Sequence, residues 1–143
     1  MAANTTPIYS KAGQISFSAL LQTANIAKDG TGVTSLIFTA GADGARVERV
    51  RIKPVGTNVA TVVRIFINNG SDPTVAANNV LYAEKSIAAN TLSESVESAL
   101  NELPTITDTT AFPLVLPPSY RLYATIGTTV AAGIRITAIG STY

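Results

Sequence analysis

Four of the chain's six arginines, Arg46, Arg49, Arg51 and Arg64, fall within ARVERVRIKPVGTNVATVVRIFINNG, residues 45–70. The planar guanidinium fork holds carboxylates, phosphates and nucleic-acid backbones. Such a cluster therefore admits a grip on a polyanion, a clamp on an anionic substrate, or a charged sheet face that bridges subunits. Carboxylates are the next candidates. Glu84, Glu94, Glu97, Glu102 and Asp108 supply the residue type that paired acid and base catalysis of glycoside hydrolysis requires, but all lie in polar or strand-edge contexts that favour solvation. Tyr120 and Tyr123 follow LPPS and can form a small aromatic platform for a sugar, with the asparagines at 68–69 and 78–79 as polar partners. Tyrosines of this kind also pack at a sandwich rim with the hydroxyl in water.

The chain contains no His and no Cys. Their absence removes the commonest zinc, copper and iron ligands. It also removes the usual general base and the strongest protein nucleophile, so Ser-His-Asp and Cys-His arrangements are impossible within one chain. KDGTG (28–32) and GADG (41–44) place glycines beside acidic groups. Neither matches a phosphate-cradling loop, and DGTG lacks the ligand ladder of a calcium loop. Both read as turns. No catalytic, cofactor-binding or metal-binding residue is expected.

Charged residues make up 13% of the 143 and the net charge is +1. Half the usual share of charge, with no strong basic excess, argues against a nucleic-acid partner. With 46% apolar residues, it also points to a surface partly covered by other subunits. The polar start, MAANTTPIYSKAGQ, has neither the basic nor the apolar region of a signal peptide. No apolar run approaches the length of a membrane helix.

The elements that must position these groups read as strands. Residues 1–14 form an expected extended arm, and 15–143 a single domain. ISFSALL (15–21) alternates Ile15, Phe17, Ala19 and Leu21 against Ser16 and Ser18. Further strands are expected at 33–39, 45–54, 59–68, 80–87, 113–116, 120–126 and 133–143. TLSESVESALNEL (91–103) fits a helix, with Leu92, Val96 and Leu100 spaced i, i+4, i+8, and fits a strand equally well. Short, evenly spaced strands rich in Val, Ile and Thr indicate an all-β sandwich or barrel, and about eight of them in one domain fit an antiparallel β-sandwich of jelly-roll type.

Within residues 45–70 the spacing predicts a hairpin over a type II′ turn at Gly56-Thr57. This register sets Ile52 opposite Thr61 and Val50 opposite Val63. The apolar phase slips between Val47 and Val50, so a bulge at Glu48-Arg49 is expected, restoring Val47 opposite Ile65. Val47, Val50, Ile52, Val63, Ile65 and Ile67 then face the core. Arg49, Arg51, Arg64 and Glu48 face outward beside Val62 and Phe66, with Glu48 able to neutralise Arg64 or Arg49. That face is expected to be solvated or to meet a neighbouring subunit. Arg49, Arg51, Val62, Arg64 and Phe66, with Pro7 and Tyr9 of the arm, are the candidate interface residues.

FPLVLPPSYRLYATIGTTVAAGIRITAIG (112–140), GARVERVRIKPVGTNVATVVRIFINNG (44–70) and NNVLYAEKSIAANTLSES (78–95) together resemble small structural proteins encoded by tailed phages, of the head decoration or cement kind. The likeness runs over most of 33–143. It consists of turn-and-strand patterns without a catalytic motif, so it carries over no site residues. What it implies is a jelly-roll sandwich made in the host cytoplasm. The protein would assemble as a homotrimer or another small oligomer on the outer face of an icosahedral shell. There it would bridge neighbouring copies of the major capsid protein, with no nucleic acid, membrane or small-molecule partner. The rival readings are a tail or fibre component, and a carbohydrate-binding adhesion module.

Overall fold

A computed structural model describes residues 9–103 and 112–143. Among the described residues nine strands follow one another: β1 Ala12–Phe17, β2 Ser35–Thr39, β3 Ala45–Pro54, β4 Thr61–Asn68, β5 Asn79–Ile87, β6 Asn101–Leu103, β7 Leu114–Leu116, β8 Arg121–Ile126 and β9 Ile134–Thr142. They form two antiparallel sheets, the all-β sandwich expected from strand length and spacing. The first has the order β1-β9-β3-β6, with β7 also on β3; the second has the order β2-β8-β4-β5. Their facing sides bury one core, in which Val47, Val50, Ile52, Val63, Ile65, Leu122, Ile134 and Ile136 are inaccessible to solvent.

The bulge lies where the apolar phase slips. Val47 opposes Gly140 and Arg49 opposes Ile139, which leaves Glu48 as the extra residue. Two residues opposite one re-aim the strand by one position. Val47 and Val50 therefore both point inward while Arg49 stays exposed. The strand across from the bulge is β9, however, and not β4. The expected hairpin does not form: β3 lies in the first sheet and β4 in the second. Residues 55–60 carry the chain from one sheet to the other, and Asn58 pairs with Asn90 rather than closing a II′ turn. Val63 and Ile65 thus meet Val50 and Ile52 across the core, not along a ladder. Alternation dictates which face of a strand is buried, and a sandwich offers two ways to satisfy it.

Two further segments depart from expectation. β1 begins at Ala12, paired with Thr142, so residues 12–14 belong to the sheet and not to an arm. It ends at Phe17, and its faces are opposite to those of a core strand. Gln14 and Ser16 donate to the carbonyls of Thr39 and Ile37 on β2 at 3.4 and 2.7 Å, while Ile15 and Phe17 face solvent. These bonds tie the edges of the two sheets together and occupy acceptors that an open edge would expose. Residues 91–100 form neither a helix nor a strand, and only Asn101–Leu103 pairs with β3. Thr91, Ser93 and Ser95 favour local side-chain hydrogen bonds over either ladder, and the Ser93 hydroxyl indeed accepts from the Ser95 amide at 3.2 Å.

Gly140 sits against the bulge, where a β-carbon would collide with the Arg46 carbonyl oxygen; one added at Gly13, on the outer edge of β1, meets nothing within 4 Å. Gly140→Ala is expected to lower unfolding free energy by about 1–3 kcal/mol, and Gly13→Ala to change it by less than about 0.5 kcal/mol, as read from urea midpoints.

Candidate functional site

The split between sheets separates the candidate interface residues. Arg49 and Arg51 lie on the outer face of the first sheet; Val62, Arg64 and Phe66 lie on the outer face of the second, on the opposite side of the sandwich. The half-apolar, half-charged surface expected from a single hairpin therefore does not exist as drawn. Tyr9 is exposed beside the start of β1, and Pro7 lies outside the described residues.

The second sheet's outer face is covered by its own chain. Residues 24–33 cross it, starting where the Asn25 amide donates to the Ile126 carbonyl at 2.7 Å. The Asn25 side chain folds this segment, donating to the carbonyls of Thr31 and Val33 and accepting from the Ala27 amide. Gly30, at φ +78°, brings the backbone so close to Phe66 that an added β-carbon would lie 3.1 Å from its ring. Phe66 is consequently 1% exposed and outside the inter-sheet core. Arg64 is held beneath the same segment, 11% exposed, donating to the Asn25 carbonyl at 3.1 Å and to Glu84 Oε1 at 2.8 Å. It anchors a loop and offers no charge to a partner. KDGTG (28–32), read simply as a turn, lies within this cover. Thr31 donates through its hydroxyl and amide to Asp29, holding that carboxyl below its ordinary value.

The first sheet's outer face is open. Across β1 and β9 it carries Ile15, 70% exposed, beside Ile139, and Phe17, 64% exposed, beside Thr137. The Arg135 guanidinium stands 5.7 Å over the Phe17 ring, within cation–π range. On β3 the exposed residues are Glu48, Arg49, Arg51 and Lys53. Glu102 of β6 accepts from Arg49 at 3.3 Å and from Arg51 at 3.2 Å. Glu48 pairs instead with Arg46 at 2.6 Å, on the bulged strand itself, and reaches neither Arg49 nor Arg64 as had been expected. The face therefore presents an apolar strip along β1 and a mainly cationic stripe along β3, with Glu48 and Glu102 offsetting part of the charge. Of the expected interface residues on the strands, Arg49 and Arg51 stay exposed, and Tyr9 is exposed ahead of β1. Ile15, Phe17 and Arg135 join them, having escaped notice because the Ile15–Leu21 alternation reads as the inside of a strand.

The sugar-platform residues do not converge. Tyr120 packs against the core, while Tyr123 lies on the other side of β8, opposite Phe66. The asparagine amides are taken up within their own loops: Asn68 donates to Asn79, Asn69 to Asn78, Asn78 to the Asp72 carbonyl, and Asn79 to that of Pro73. Of the acidic candidates, Glu84 and Glu102 are held in the ion pairs above, Glu94 and Glu97 are exposed in the 91–100 loop, and Asp108 lies outside the described residues. No group of three or more His, Cys, Asp or Glu side chains comes together among the described residues. An open cleft of about 500 Å³ is lined by Val62, Arg64, Ser86 and Thr128 at the end of the second sheet. In comparisons with protein families, curated proteins and solved structures, the chain matches none.

Because Arg64 is nearly buried and bonded on two sides, Arg64→Ala is expected to cost about 1–3 kcal/mol. Arg51→Ala, which removes an exposed pair, is expected to cost less than about 0.5 kcal/mol. Equal losses in thermal or urea unfolding would contradict the assignment of the two arginines to a covered and an open face.

Proposed function

We propose that this chain is a structural virion protein that decorates and stabilises an icosahedral tailed-phage capsid by bridging major capsid subunits. The observation that carries the reading is apolar exposure on several separate sides of one small domain. Ile15 and Phe17 stand on the first sheet; Ile26, Val33 and Leu36 flank the second; Leu92, Val96 and Leu100 project from a loop. A module for one small ligand needs one concave apolar site. A subunit that ends up between neighbours needs several contact surfaces, and it tolerates a low charge content because little of it stays wet.

The strand order supports the jelly-roll form of the sandwich. With β6 and β7 counted together as one interrupted strand along β3, eight strands remain. Apart from the β4–β5 pair, consecutive strands alternate between the sheets in the nested order of a double Greek key, with the first and last strands adjacent in one sheet. Stabilisation would act by mass action, since a protein that binds only the assembled shell favours that state. Repetition around symmetry axes multiplies weak contacts through effective concentration. A tail or fibre role draws on the same surfaces. The carbohydrate-binding reading loses support, because its tyrosines diverge and its amides are already bonded.

Purified protein mixed with shells that lack it is expected to co-sediment with them and to raise their melting temperature. Failure to bind any shell would overturn the head role. Removing residues 1–10, which leaves β1 intact, is expected to weaken co-sedimentation if the preceding segment docks on a neighbour's sheet edge. Unchanged binding would remove that segment from the mechanism.

A further inference from the structure

The open face of the first sheet and the 92–100 loop are complementary in both respects that govern protein contacts. The face pairs apolar Ile15 and Phe17 with Arg49, Arg51, Lys53 and Arg135, a positive excess that Glu48 and Glu102 offset in part. The loop pairs apolar Leu92, Val96 and Leu100 with anionic Glu94 and Glu97, all of them exposed. We propose that the occupant of the face is the 92–100 loop of a second copy of this chain, docked head to tail.

A chain's own loop cannot fill its own face. Its ends are pinned at the β6 side, where the Leu92 amide donates to Thr57 Oγ1 at 3.0 Å and Lys53 Nζ donates to Ser98 Oγ at 3.0 Å. The apolar strip on β1 lies beyond β3 and β9. Three strand spacings separate it from β6, about 14 Å. A symmetric pairing of two faces sets each cationic stripe either on its like or on the partner's apolar strip, and both arrangements leave buried charge without an opposite partner. Loop on face brings unlike charges together and lets Val96, 69% exposed, cover Phe17 or Ile15. Because the donor and acceptor surfaces differ, the contact is heterologous. Repetition of such a contact closes a ring when the rotation allows it. This inference does not rest on the capsid role, because it concerns the purified chain alone.

The test is a charge exchange read by sedimentation velocity of the full chain. One variant reverses the face, Arg49→Glu with Arg51→Glu. The other reverses the loop, Glu94→Lys with Glu97→Lys. Wild type is expected to form an oligomer of defined mass that dissociates as salt is raised. Each variant alone is expected to associate at least about a hundredfold more weakly, with an unchanged circular dichroism spectrum. Mixing the two is expected to restore association at equal stoichiometry, because the reversed face meets a reversed loop and the native face a native loop. Phe17→Ser and Val96→Ser, which leave every charge in place, are each expected to weaken assembly about tenfold. A monomeric wild type at all accessible concentrations would overturn the proposal. So would failure of the mixture to recover while both variants remain folded. Undiminished association of the loop variant alone would assign the face to a symmetric pairing instead.

Discussion

The structure depends on one constraint in β3: a strand paired on both edges must keep apolar side chains on a single face, and its sequence breaks the alternation that would do so. The extra residue at Glu48 resolves the conflict. It shifts the phase by one position, so that Val47, Val50 and Ile52 all enter the core. The same shift fixes Arg49, Arg51 and Lys53 on the outside. Gly140, with no β-carbon, lets β9 close against the bulged backbone. Core packing and surface charge are thus two consequences of one local irregularity.

Much of this is legible from residue types. Period-two patterning locates most of the strands to within a residue or two, and the slip between Val47 and Val50 locates the bulge. Partner choice is not legible in the same way. A strand's pattern states which face is buried without stating what lies across from it, and the six residues between β3 and β4 suit a sheet crossing as well as a tight turn. The composite surface read from one hairpin fails for that reason, since Arg49 and Arg64 lie on opposite sides of the molecule. Ile15 and Phe17 mislead differently. Their alternation with Ser16 and Ser18 matches a core strand, but the inward positions near β2 need hydroxyl and amide groups to satisfy carbonyls along an edge.

The two outer faces then have different fates. One is covered by residues 24–33, which bury Phe66 and bond Arg64. That cover requires an asparagine inside the loop and glycines at positive φ. The other is left with Ile15 and Phe17 against water, beside a cationic stripe. Leaving such groups exposed lowers solubility unless a partner covers them. The side chains suited to chemistry are mostly held in structural roles: Arg64 anchors, Asp29 turns a loop, and the asparagines brace their own segments. The open face of the first sheet and the 92–100 loop remain exposed, and the proposed assembly draws on these two surfaces.

The most direct measurement of this account is hydroxyl-radical footprinting of the chain at dilute and at associating concentrations. Phe17 on the open face and Val96 on the loop are predicted to lose reactivity together as association proceeds, while Phe66 stays protected at every concentration. Association that leaves Phe17 and Val96 equally reactive, or that protects one without the other, would contradict it.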